Sequence, residues 1–511
     1  MKRTNHFIKL VVVTLLAFMV TACHDLLDEQ PENASFVDDT DYTQTQNMIG
    51  ALYGAYERFY TRGWEDIPVI SVRGDDVNAG GLGDQQDYNE ADQYRYNKDF
   101  WMFNSVWQNH YNDIWDMHSA MEQIALYKEH ASNPALADQY IAEIKVLRSF
   151  LLLQLARVWG DVFVPESSDP SDLLLVDLTP REQVLQHISD QMDEAAEHLP
   201  NVRPNERTDV RGGVTRYTAL AVKAIANLEL KNYQAVADAT SEIISSNKFS
   251  LYPDFYQLFK IPGKLANENL LELQYSDFGQ SSGDQKAYLF AFFGPQNWTP
   301  KIEGAGGGWG FYEPSIKYIT FMMERGETTR LETSVLFTNR GIDSLKTLGY
   351  EAIIPDWVSN TTPSGDVIND YPRAIFASGK HYLPSDQLTP GRTGYGNNKN
   401  FIAIRYAEIL LMHAEALVQG ATGTGMTALE AVNAVRDRAD MPLLGSVSLD
   451  DVVNEKFAEL AMEWGIRFYD MVRLGRTSEL TYADRVFSDD KVFLPYPQSQ
   501  VDLYPVLKGR R

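Results

Sequence analysis

Cysteine is nearly absent: the 511-residue chain contains one, Cys23, so no internal disulfide can form. Basic residues are also in short supply. Forty-five Lys and Arg stand against 70 Asp and Glu, a formal net charge of −25. So acidic a chain argues against nucleic acid, and against an anionic membrane surface, as partners. The apolar run from Leu10 to Val20 stops well short of the roughly 20 residues a membrane-spanning helix needs. Signatures of catalysis are missing too. The chain has no Gly-x4-Gly-Lys-Ser/Thr loop, no Gly-x-Ser-x-Gly elbow and no His-Glu-x-x-His helix. Gly304–Gly310 is rich in glycine but lacks the lysine and spacing of a phosphate cradle. His187 and His198, near Glu194, sit in a polar stretch that reads as a solvated face rather than a metal site.

The N-terminus is the most informative short segment. Lys2, Arg3 and Lys9 precede the apolar run, and Thr21-Ala22 supply small residues before Cys23. That order describes a secretory signal over residues 1–22. Val20-Thr21-Ala22-Cys23 resembles the bacterial lipobox, in which the cysteine thiol takes lipid and becomes the new N-terminus. Two or three acyl chains hold such a protein durably, where one is marginal. Residues 23–45, acidic and broken by Pro31, then read as a lipidated Cys23 and its tether.

Beyond the tether the periodicity is helical. Ile144, Leu147, Leu151, Leu155 and Val158 recur at steps of three and four, which makes one apolar stripe. Ile404, Ala407, Leu411, Ala414 and Val418 do the same, as do Val453, Phe457, Leu460 and Trp464. Two stretches read as helical hairpins: Arg216–Leu251, with small residues on its first helix, and Tyr406–Val435, turning at Gly420–Gly425. Residues 261–400 differ, being rich in Gly, Pro, Asn, Tyr and Trp. Long irregular segments within a compact protein are usually functional or disordered, and the aromatics argue for order. The expectation is a mainly α fold, a helical scaffold with tetratricopeptide-like hairpins and an irregular loop-rich insertion carrying short strands. Residues 46–260 and 401–511 form its helical parts, within one globular unit.

Several segments together resemble the RagB/SusD family of outer-membrane lipoproteins. They are Arg405–Ala416 (RYAEILLMHAEA), Asn433–Ala439 (NAVRDRA), Glu459–Gly475 (ELAMEWGIRFYDMVRLG) and Phe493–Gln498 (FLPYPQ). Leu147–Pro165 and the Gly213–Leu251 hairpin fit as well. Trp464 departs from the pattern by separating Glu463 from Gly465. The resemblance implies a lipid-anchored protein at the cell surface of the outer membrane. It would capture oligosaccharide or polysaccharide, or in some members peptide, and pass it to a SusC-type TonB-dependent transporter. It also implies no catalysis and no cofactor. Glu463 and Arg467, four apart, and Asp470 and Arg473, three apart, are spaced to pair along one helix face.

Sugar capture needs flat apolar faces for the C–H side of a ring, and Trp and Tyr supply them. The resemblance carries over regions rather than residues, and two aromatic clusters lie in suitable regions. From the first, Tyr96 and Trp101 are the candidates; from the second, Trp298, Trp309 and Tyr312. Asp75 and Asn78, in Arg73-Gly74-Asp75-Asp76-Val77-Asn78, are candidates for ligand hydroxyls. Asp75-Asp76 is also the carboxylate pair that a lipid-anchored glycoside hydrolase, the main catalytic alternative, would employ. Overall acidity favours a neutral glycan over a uronan, a preference that one local basic pocket would reverse.

Overall fold

The computed structural model describes residues 40–62, 66–79, 86–169, 171, 177–280, 289–392 and 396–510. Cys23 and the proposed signal and most of the tether lie outside them. The helices of the first part are α1 (Met48–Tyr60), α2 (Asp66–Ser71), α3 (Gln86–Asp92), α4 (Trp101–Lys128) and α5 (Pro134–Trp159). They continue with α6 (Arg181–His198), α7 (Arg216–Glu229), α8 (Tyr233–Ser245) and α9 (Phe255–Leu258). The middle carries four more: α10 (Leu289–Phe293), α11 (Ile316–Glu324), α12 (Thr329–Ser334) and α13 (Asn339–Thr347). The last are α14 (Tyr406–Val418), α15 (Ala428–Arg438), α16 (Leu449–Leu460), α17 (Ile466–Arg473) and α18 (Gln498–Leu503). The fold is mainly α.

Helix α5 is its axis. Pro134 opens it, where a missing N–H costs nothing, and Gly160, with φ of 80°, closes it. The predicted stripe Ile144–Leu147–Leu151–Leu155–Val158 is buried along it. Neighbouring helices then pack in series, α4 and α6 on α5, α7 on α6, α8 on α7 and α14 on α8. Both expected hairpins form, α7 with α8 and α14 with α15. Ala219, Ala221 and Ala224 are buried on α7, so the backbone of α8 comes close.

The strands are short and pair two by two. They are β1 (Val77–Ala79), β2 (Asn269–Leu273), β3 (Trp298–Thr299), β4 (Tyr312–Pro314), β5 (Val335–Phe337), β6 (Val367–Ile368), β7 (Phe376–Ser378) and β8 (Phe401–Arg405). β2 pairs antiparallel with β8, so the two ends of the loop-rich region meet at its base. β1 pairs with β4, setting Asn78 opposite Glu313 and tying the middle to the N-terminal part. β3–β6 and β5–β7 are the remaining pairs.

Two helix expectations need correction. Ile404 lies in β8, and α14 starts only at Tyr406, because Arg405 has extended backbone and pairs with Asn269. Trp464 is not on α16, which stops at Leu460. Met462, Trp464 and Gly465 all have positive φ (64°, 47° and 69°), so the chain turns before α17. The indole N–H of Trp464 donates to the carbonyl of Ile402 at 3.0 Å, which fixes the turn against β8.

Candidate functional site

Helix α10 and the glycine-rich strap after it build the centre of the aromatic region. Trp309 N–H donates to the Ala291 carbonyl at 2.5 Å, Gly310 N–H to Gly294 at 3.0 Å and Phe311 N–H to Phe292 at 2.9 Å. The glycines permit this approach: a Cβ on Gly308 would sit 2.4 Å from the Phe290 carbonyl oxygen and 2.6 Å from that of Gly294. The strap is thus held closely against α10.

From there the rings run as a seam. Trp309 lies 5.3 Å from Phe292 and 5.4 Å from Phe311, centroid to centroid. Phe311 lies 5.8 Å from Tyr88 on α3, and Tyr88 meets Phe100 edge-on at 5.4 Å. Phe100 meets Trp101 at 6.3 Å. Edge-to-face and tilted pairs at these distances are favourable. Tyr88 therefore joins two clusters that are about 200 residues apart in the chain. The inner rings are buried. Trp101, 52% exposed, and the half-buried Trp309 bring the two ends of the seam to solvent. The Arg373 guanidinium lies 4.4 Å above the Phe311 ring and donates to the Trp309 carbonyl at 3.2 Å. A flat carbon face can receive the C–H side of a sugar ring, and a guanidinium beside it is a donor for hydroxyls.

The remaining candidates sit elsewhere, for physical reasons. Asp75 has no exposed surface and binds Arg467 through both oxygens at 2.7 and 3.1 Å, with Lys317 at 2.5 Å. Burial alone would raise its pKa, but the two cations hold it below the ordinary value. Asp76 accepts from Met462 N–H at 2.6 Å, and burial raises its pKa to about 6. Both carboxylates serve internal bonds, so neither Asp75 as a ligand contact nor the pair as a hydrolytic site is retained. Tyr312 is corrected likewise: 1% exposed, it stacks on Phe292 inside the seam. Trp298 is 9% exposed and belongs to a small separate core with Phe290, Ile368 and Tyr382. Tyr96 turns toward the C-terminal segment, its hydroxyl donating to the Lys491 carbonyl at 3.1 Å. Asn78, half-buried, accepts from Tyr482 at 2.6 Å.

Tyr88, Phe311 and Arg373 were not among the expected residues. Tyr88 stands in a polar stretch, Gln86-Asp87-Tyr88-Asn89-Glu90, where nothing local marks it. Glu313 braces the site from β4: its carboxylate accepts from Ile375 N–H at 2.8 Å and Phe376 N–H at 2.9 Å. Burial raises its pKa to about 7. No group of three or more metal-ligating side chains gathers among the described residues, and no described helix is long and apolar enough to cross a membrane.

Two family models match the chain. The SusD family model covers residues 267–493, and one described as starch-binding associating with outer membrane covers residues 25–227. Among curated relatives, a SusD-like protein of Bacteroides ovatus is 23% identical, the match covering 91% of this chain and 82% of the relative. SusD-like protein P2 of Formosa agariphila is 24% identical, over 92% and 91%. Among solved structures, surface glycan-binding protein A from Bacteroides fluxus has a TM-score of 0.73 at 22% identity, covering 91% of this chain and 97% of that one. The Bacteroides thetaiotaomicron protein of that name, in complex with laminarihexaose, has a TM-score of 0.70 at 22% identity, over 90% and 97%. A laminarin-binding SusD-like protein has a TM-score of 0.73 at 21%, over 90% and 97%.

Proposed function

This chain belongs to the SusD/RagB family, and we propose that it is a cell-surface glycan-binding lipoprotein serving a SusC-type TonB-dependent transporter of the outer membrane. The observation that carries the binding role is the aromatic seam, which ends in solvent at Trp101 and Trp309. The likeness to glycan-binding neighbours supports it. A β-glucan is the ligand class to try first, since two of those neighbours are described with laminarihexaose or laminarin. The protein binds without cleaving: it holds glycan for the channel, and lipid on Cys23 keeps that glycan at high effective concentration beside the pore. Residues 1–22 as signal and 23–45 as tether belong to the same proposal.

The test is calorimetry of the purified full chain against laminarin, starch, xylan, pectin and a peptide digest, with reducing sugar assayed in parallel. Heat with a neutral glycan and no sugar release supports the reading. Silence with every glycan overturns it, and heat with the peptide digest alone favours the peptide-capturing kind of member. For the anchor, Cys23→Ser is expected to abolish labelling by radioactive palmitate; label retained in the variant would refute lipidation there.

A further inference from the structure

A cavity of about 350 Å³ lies where the end of α5, the start of α6, the α7–α8 turn and α17 converge. It shares no residue with the aromatic seam. Its charge is unlike that of the acidic chain around it. Arg157 donates to Glu229 at 3.0 Å, and Arg181 binds the other oxygen of the same carboxylate. One anion thus serves two guanidinium groups. Lys231 stands at the rim, held there by a positive φ of 57°, with Glu182 also in the lining. Arg473 is balanced separately, since it and Lys456 share Glu415 and Asp470.

Behind the wall is a further cation. Arg73 is buried, 4.2 Å from the centroid of Phe468, and bonds only to neutral groups, the Val492 carbonyl at 3.1 Å and the Tyr469 hydroxyl at 3.3 Å. Among the described residues it has no carboxylate partner. Against Arg157, Arg181, Lys231 and Arg73 stand Glu229 and Glu182 in the lining, together with the buried Glu408, which acts on Arg157. In addition, the buried Nε–H groups of Arg73, Arg181 and Arg473 find no acceptor among the described residues, and such groups in a folded protein call for a reason.

The rest of the wall narrows the ligand. Phe468, Phe493, Val472 and Leu230 offer carbon faces, so a bare inorganic ion would leave most of the cavity unused. Two glutamates in the lining disfavour a dianion such as phosphate, but they accept hydroxyls well. Guanidinium groups match a planar carboxylate. The volume is at the small end of the roughly 300–1,000 Å³ typical of ligand pockets.

We propose that this cavity is a second binding site, independent of the aromatic seam, for a singly charged sugar acid of the uronic acid class. Its carboxylate meets the Arg157–Arg181 pair, its ring lies on the aromatic wall and its hydroxyls reach Glu182 and Glu229.

The test is calorimetry of the purified full chain with glucuronate and galacturonate, using glucose and sodium sulfate as controls. Binding of a uronate but not of glucose is expected, weakening as salt is added. Lys231→Gln and Arg181→Gln are each expected to weaken it by about tenfold, and Trp309→Ala to leave it unchanged. Lys231 is exposed, so its variant remains informative if the Arg181 variant fails to fold. Equal binding of glucose, sulfate binding without uronate binding, or no uronate binding at all overturns the proposal. Because the seam variant is scored separately, failure here leaves the glycan reading of the seam standing.

Discussion

Glu463 pairs with Arg405, 58 residues before it, and not with Arg467 four residues after it. The contact is two-pronged, from Nε to Oε2 at 2.8 Å and from Nη2 to Oε1 at 2.9 Å. The same carboxylate takes Lys380 at 2.6 Å, and Arg405 also reaches Glu268 at 3.0 Å and Glu459 at 2.5 Å. These side chains are all buried, at the junction of β8, the end of α16 and the turn into α17. Arg467, released from the expected pairing, instead holds Asp75.

Glu463→Ala strands the buried Lys380 and takes one of three carboxylates from Arg405, and breaking a buried pair from one side costs about 3–5 kcal/mol. Urea denaturation is expected to show a midpoint lowered by that amount with an unchanged slope. A loss below about 1 kcal/mol would mean that solvent or neighbouring carboxylates replace Glu463, and the network would not be holding the junction.

The contrast between these pairs shows what the sequence makes legible. A stripe such as Ile144–Val158 follows from helical spacing because one element supplies all of it. The spacing of Asp470 and Arg473 likewise predicts a contact that forms, at 2.5 Å. Glu463 and Arg467 fail that rule because two positive-φ positions, Trp464 and Gly465, turn the chain between them, and a positive φ is not written in a residue name when the residue is Trp. The site divides in the same way. Trp101 and Trp309 are visible as aromatics in irregular or helix-start segments, and they reach solvent. Tyr312 looks equivalent, but it opens β4, a strand whose residues are all buried, and it packs inside the seam. Tyr88 joins the clusters only through tertiary packing, which one short polar helix cannot announce. The basic cavity draws Arg157, Arg181, Lys231 and Arg473 from four separate places, so the overall acidity concealed it.

Trp101 and Trp309 carry the exposed ring faces, so replacing either is expected to weaken binding of the glycan that the panel identifies. About tenfold per ring is the scale for losing one interface anchor, since 1.4 kcal/mol is a factor of ten. Trp101 is half in solvent, and Trp101→Ala is expected to change stability by less than about 0.5 kcal/mol. Measured affinity and melting temperature together check this. Unchanged affinity in both variants would remove the seam from the binding role.

Gly308 tests whether the strap positions Trp309. An added methyl would press on the backbone oxygens of Phe290 and Gly294, and neither can rotate away as a side chain would. Gly308→Ala is therefore expected to push the strap off α10, weakening glycan binding while the helical scaffold keeps its circular dichroism. Overpacking of this kind costs typically about 1–3 kcal/mol. Gly445, with open space around it, gives the matched control, and Gly445→Ala is expected to leave binding unaltered. Equal effects from the two variants would show that the strap's closeness is irrelevant to the site.

Glu313 links the site to pH. Burial raises its pKa from the ordinary 4.5 to about 7, although two backbone N–H groups favour the charged form. The folded chain thus holds a proton on Glu313 between these two values, where the unfolded chain has already lost it. This contribution to stability is fully present below about 4.5, declines as pH rises, and is gone above about 7. A shift of this size corresponds to on the order of 3 kcal/mol. Glu313→Gln retains an oxygen for Ile375 and Phe376 but cannot ionise. Urea midpoints between pH 5 and pH 8 are therefore expected to fall less steeply in Glu313→Gln than in the parent chain, with the variant the more stable of the two at pH 8. Parallel curves for the two proteins would show that Glu313 keeps the same pKa folded and unfolded, and that burial on β4 does not tune it.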